Sequence, residues 1–140
     1  MKFPPENIIH LPKVNFKTYG LAFEVSYGDP KFSCLVSGSY FPPESKRMPK
    51  SNKDIHERMV NSANEKKHSF FDDDYLEIMS VPKDANYKLM YLFRFINENK
   101  EISFAFRSKS KQEQKISKEE LLSHANLFFS IDPSRLFKPS

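Results

Sequence analysis

Residues 87–107 read YKLMYLFRFI, NENK and EISFAFR in succession: an alternating run, a polar break and a second alternating run. A tight turn centred on Glu98 and Asn99 sets Phe95 opposite Ile102, Phe93 opposite Phe104 and Tyr91 opposite Phe106. Aromatic pairs of this kind on one face stabilise antiparallel strands, each by about 0.2–1 kcal/mol. The stretch therefore predicts a hairpin with a ring-lined inner face.

The same pattern occurs upstream. Leu21, Phe23, Val25 and Tyr27 alternate, Gly28, Asp29 and Pro30 make a turn, and Phe32, Cys34 and Val36 alternate again. This predicts a first hairpin over about residues 21–40, with Gly38 a candidate bulge. Phe41, Pro42 and Pro43 stop it. A further strand is expected over YLEIMSV, residues 75–81, introduced by Asp72, Asp73 and Asp74 and ended by Pro82. Val14 to Lys17 reads as a short edge strand.

Two helices complete the reading. The first is capped by Ser51 or Asn52, carries Ile55, Met59 and Ala63 at four-residue spacing with Val60 beside them, and is expected to fail near residues 65–67. The second opens on a capping box, Ser117 with Glu120, flanked by Ile116 and Leu121 in staple positions. Leu121, Leu122, Ala125, Phe128 and Phe129 form its apolar face, and Pro133 ends it, with Leu136 and Phe137 turning the tail back. Residues 1–12, with prolines at 4, 5 and 12, read as an extended arm. Residues 42–53 and 108–116 read as basic loops. The fold class expected is α+β: a single antiparallel sheet of five or six strands, with one central helix and a C-terminal helix packed on the Phe93, Phe95, Phe104 and Phe106 face. Residues 1–140 are read as a single domain, long enough to bury roughly two-thirds of the surface of its unfolded chain.

Only 39 % of the residues are hydrophobic, yet 14 are phenylalanine, so the core is small in number and large in side chain. The formal net charge is +4, which invites nucleic acid or an acidic protein as partner. Lysine supplies 17 of the 22 cations, whereas arginine, with its planar fork, is the better reader of bases and phosphates. The lone Cys34 excludes an internal disulfide and a thiolate zinc cluster, and its place between Phe32 and Val36 reads as a buried small residue. Neither a signal peptide nor a membrane span is written in the chain, and the cytoplasm is the expected compartment.

Candidate chemistry is sparse. His10, His56, His68 and His124 stand singly, without metal-ligand or triad spacing. Glycines at 20, 28 and 38 exclude a phosphate-binding loop. No catalytic residue, metal site or cofactor is expected. Asp72 to Asp74 followed by Glu98, Asn99 and Lys100 matches the acid and acid-x-Lys pattern of metal-dependent nucleases, but Glu98 and Lys100 fall in a turn. A better-defined feature is the connector carrying Arg107, Lys109, Lys111, Lys115 and Lys118, which brings positive charge to the amide-rich start of the last helix. The outer face of the hairpin is a third, because Met90, Leu92, Arg94 and Ile96 oppose Arg107, Ala105, Ser103 and Glu101. That face is semi-apolar, to be covered by the first helix or used for docking.

The expected function is that of a small, non-catalytic protein-binding module of the inhibitor, immunity or adaptor kind. Its partner is expected to carry an acidic surface, met by Arg107, Lys109, Lys111, Lys115, Lys118, Met90, Leu92 and Arg94. The alternative is a nucleic-acid-binding protein using the basic connector, and a weaker one is a small metal-dependent nuclease.

Overall fold

The computed structural model describes residues 11–12, 21–43, 48–133 and 137–138. In chain order its elements are β1 (Leu11–Pro12), β2 (Leu21–Gly28), β3 (Phe32–Tyr40), α1 (Asn52–Ser62), β4 (Ala63–Phe71), β5 (Tyr75–Pro82), β6 (Leu89–Asn97), β7 (Lys100–Ser108), α2 (Lys118–Phe129) and β8 (Phe137–Lys138). Six strands form one antiparallel sheet in the order β2-β3-β7-β6-β5-β4, while β1 and β8 pair separately and in parallel. Strands β4 to β7 form a meander, and the β2–β3 hairpin joins it through β3 against β7. This is an α+β fold. Residues 1–10 of the expected arm 1–12, the strand over 14–17, residues 44–47 of the first basic loop and Leu136 lie outside the described residues.

The central hairpin has the register its alternation demands, with Phe95 facing Ile102, Phe93 facing Phe104 and Tyr91 facing Phe106. One face of the sheet is thereby lined with rings, and α2 lies on it. Leu121, Ala125 and Phe128, spaced four and three residues apart, are buried there with Phe23, Val36, Phe95, Ile102 and Phe104. The Phe23 and Phe128 rings meet edge to face, centroids 5.3 Å apart. Gly38 makes this approach possible, because a Cβ there would stand 2.3 Å from Cε1 of Phe23. The bulge expected at Gly38 lies instead on its partner strand, where the β2–β3 register shifts between Leu21 and Phe23.

The ends of both helices are closed by side chains. Ser51 Oγ accepts from the Asp54 amide and Ser117 Oγ from the Glu120 amide, each at 3.2 Å. At the far end of α2 the Lys100 ammonium donates to the carbonyls of Phe128 and Phe129 in the last turn and of Ile131 just beyond it, the Phe128 carbonyl also accepting from the Ile131 amide. No helix among the described residues is long and apolar enough to cross a membrane.

The β1–β8 pair is not part of the sequence expectation, which reads Leu11 and Pro12 as arm, and a longer element differs as well. Helix α1 stops at Ser62, Ala63 is already extended, and residues 63–71 continue without a loop as the edge strand β4. Residues 64–68, NEKKH, show no period of two because the strand has almost no buried face, and pairing with β5 holds it in place. Two register shifts together with Lys66 and Lys67 make it a poor template for further strands.

Candidate functional site

Two rows of paired residues cross the sheet on the side away from α2. One runs Ser26, Leu35, Ala105, Leu92, Ile78; the next runs Glu24, Ser37, Ser103, Arg94, Leu76. Helix α1 packs chiefly on β4 and β5, and Arg94 of β6 reaches it through Asn52. Leu76, Ile78 and Arg94 are accordingly buried, while Leu92, Ala105 and Leu35 are half-buried. Cover ends part-way across β6. Beyond it, serine and alanine leave the strands of β7 and β3 flat, with a leucine on either side of Ala105.

The structure divides the residues singled out from the sequence. Met90, Leu92 and Arg107 share the outer face, with Met90 directly opposite Arg107. Arg107 is exposed and its guanidinium lies 5.4 Å from the centre of the Tyr87 ring, which orients it. Arg94 is only 4 % exposed and is committed internally. Its Nε donates to Glu101 Oε2 at 2.8 Å, and its Nη1 to Asn52 Oδ1 and the Lys50 carbonyl, both at 2.7 Å. Asn52 in turn donates to the Asp72 carbonyl at 3.0 Å, so Arg94 joins the start of α1 and the acidic loop to the sheet.

Lys109 and Lys111 are exposed at the end of β7, where the Lys109 amide donates to the Lys31 carbonyl in the β2–β3 turn. The connector then crosses to the α2 side, where the Gln114 amide donates to the Tyr91 hydroxyl at 2.8 Å. Lys115 and Lys118 therefore belong to the opposite side of the sheet from Met90 and Leu92.

Two of the hollows that border α2 are larger than the one between Tyr91 and Lys118. The first, about 470 Å³, lies between the β2–β3 turn and the helix start; Phe32, Cys34, Phe106 and Leu121 line it, with Lys115 and Glu120 among its polar groups. Burial pushes the Cys34 thiol up to about 12, so the thiol is held protonated. The second, about 490 Å³, lies beside the β6–β7 turn and is lined by Asp74, Tyr75, Asn97, Glu98, Lys118 and Asn126 among others.

Asp74 and Glu98 of the nuclease-like pattern thus border one hollow, but Asp72 and Lys100 are engaged elsewhere. Lys100 closes the end of α2, and Asp72 Oδ1 accepts from the amides of Asp74 and Tyr75 at 2.9 and 2.8 Å, shaping its own turn. Among the described residues no group of three or more His, Cys, Asp or Glu side chains gathers as metal ligands would.

Tyr75, Asn97 and Asn126 were not singled out from the sequence, because a strand start, a strand end and a helix flank meet only in three dimensions. Glu98 did carry a local signal. A two-residue hairpin turn asks for φ above zero, usually at glycine or asparagine, and Glu98 adopts φ 54° without either advantage. Comparison of the chain with protein-family models, curated proteins and solved structures finds no match.

Proposed function

We propose that the chain is a non-catalytic, cytoplasmic binding module of the inhibitor, immunity or adaptor kind, and that its partner is a protein with an acidic surface, docked on the uncovered outer face of β3, β7 and β6. The observation that carries this reading is the half-buried row Leu35, Ala105 and Leu92 beside exposed Arg107 on that face; among the described residues, the two most exposed rings, Phe70 and Phe71, lie apart from the connector cations. A nucleic-acid platform needs rings for stacking and cations for phosphate on one surface. Here Phe70 and Phe71, 48 % and 38 % exposed, run into Asp72, Asp73 and Asp74 on the edge strand β4. Arg107 and Lys109 lie three strands away, across β6 and β5, a distance of about 14 Å at ~4.8 Å per strand. Leu35, Ala105 and Leu92 suit the apolar centre of a protein interface, and Arg107 at their margin suits its polar rim.

The test is affinity capture from the source cells after nuclease treatment, with wild type and Ala105→Arg side by side. Ala105 points away from the core, so the variant folds and plants a long charged chain in the middle of the flat face. Wild type is expected to retain a protein partner that Ala105→Arg loses. Capture that disappears with nuclease treatment, or that Ala105→Arg leaves unchanged, overturns the reading.

A further inference from the structure

The hollow beside the β6–β7 turn gathers carboxylates around aromatic rings. Asp74 and Glu98 line it from two different loops, Asn97 and Asn126 add amide oxygens, and Tyr75 and Phe129 supply rings. At about 490 Å³ it is of the size that holds small ligands, roughly 300–1,000 Å³. The chain already places one cation there, since the Lys118 ammonium stands 4.0 Å from the centre of the Tyr75 ring. Such a charge is drawn to the negative face of the ring.

A second group in the same place is unsatisfied. Tyr75 is 5 % exposed, and its buried hydroxyl has no hydrogen-bond partner. A buried hydroxyl left without a bond is a standing penalty that a donor or acceptor entering the site removes. The surroundings select a donor. Burial, and after it the nearby carboxylates of Glu77, Glu119 and Asp72, raise the phenol's pKa, so the group stays a neutral hydroxyl whose oxygen can accept.

We propose that this hollow is a binding site for an organic cation, an alkylguanidinium or alkylammonium group, which takes the place of Lys118 over the Tyr75 ring and donates to the phenol oxygen and to the carboxylates of Asp74 and Glu98. It lies on the α2 side of the sheet, so it stands or falls separately from the docking face on the other side. The cation is either a free small molecule or an arginine or lysine side chain of a peptide.

The experiment is a backbone-amide NMR titration of the full chain with agmatine and, in a parallel arm, with a blocked Gly-Arg-Gly peptide. Wild type is expected to show saturable shifts centred on Asn97, Glu98 and Asn126. Lys118→Met, which removes the resident cation and keeps its apolar stem, should bind about threefold more tightly or better. Asp74→Asn with Glu98→Gln should bind about tenfold more weakly, with unchanged shifts elsewhere confirming the fold. Tighter binding of agmatine identifies a free cation as the natural class, and tighter binding of the peptide a protein side chain; both support the site. Lack of saturable shifts with either probe in wild type and in Lys118→Met overturns it, as does affinity unaltered by the double carboxamide substitution.

Discussion

Glu98 stands in the left-handed region at φ 54°, where an L side chain crowds its own carbonyl. That conformation costs roughly 1–2 kcal/mol, of which a glycine returns part to the unfolded chain as entropy. Glu98→Gly should therefore stabilise the protein by about 0.5–1 kcal/mol in equilibrium unfolding. An unchanged or lower stability would mean that the carboxylate is worth more to the turn than the strain costs. Cys34 gives a pH signature. Its thiol is pushed from about 9 to about 12 by burial, so below pH 9 it is protonated whether folded or unfolded. Between these values the unfolded chain holds the thiolate and the folded chain the thiol. The folded state then binds more protons, and stability falls as pH rises, by up to about 1.4 kcal/mol per unit. Cys34→Val lacks this loss. Relative to the variant, wild type should lose roughly 1–2 kcal/mol between about pH 8 and about pH 10.5 in denaturant melts. Parallel pH profiles would show that the thiol is wetter than its packing implies. Cys34 was legible as a buried residue from its apolar neighbours, and Glu98 as a turn residue from the break between two alternating runs. That Glu98 also borders a hollow was not legible, since Asp74 and Asn126 reach that place from distant parts of the chain.

At the scale of elements, α1 is held on the sheet as much by polar bonds as by its apolar stripe. Arg94 and Glu101 form an ion pair with side chains 5 % and 13 % exposed, and Arg94 continues to Asn52 and the Lys50 carbonyl. Removing one partner of such a pair leaves a buried charge unmatched, so Arg94→Met should cost about 3–5 kcal/mol. Adding Glu101→Met should recover part of that loss, because no charge is then stranded. Urea melts of the single and double variants measure both steps, and a double variant no better than Arg94→Met would locate the energy in the bonds to Asn52 and Lys50. Hairpins and helix starts were legible at this scale. Period-two alternation marked β2, β3, β6 and β7, and the serines before each helix marked its cap. Strand β4 was not, because an edge strand with both faces in water has no alternation to display.

At the scale of the whole molecule, the connector cations are spread over two sides of the sheet. Lys109 and Lys111 extend from the end of β7 beside Lys31, while Lys115 belongs to the hollow at the start of α2. A phosphate backbone would have to bend round the sheet end to meet them all. Wild type should therefore show negligible binding to mixed RNA or DNA oligonucleotides at physiological salt, by fluorescence anisotropy. Lys109, Lys111 and Lys115 changed together to Gln should leave both that result and the thermal melt unaltered. Tight binding that weakens steeply with salt, with a shallower slope in the triple variant, would instead favour a nucleic-acid partner.

The amino-acid order was enough for the sheet class, the register of the central hairpin, the face on which α2 lies and the cap of α2, and it narrowed the cap of α1 to Ser51 or Asn52. Each of these is set by neighbours a few residues apart: side chains that alternate, a turn that reverses the strand, a hydroxyl three residues from the amide it accepts from. The packing of the elements set the rest: α1 rests chiefly over β4 and β5, Leu35, Ala105 and Leu92 stay half-buried, and Arg94 becomes a buried tie between elements. It alone brought Lys118, Tyr75, Asp74 and Glu98 to one hollow. Those outcomes depend on which strands lie side by side and on where a helix comes to rest across them, and that geometry is fixed by contacts between residues twenty to fifty positions apart, as between Arg94 and Asn52 or Asn52 and Asp72.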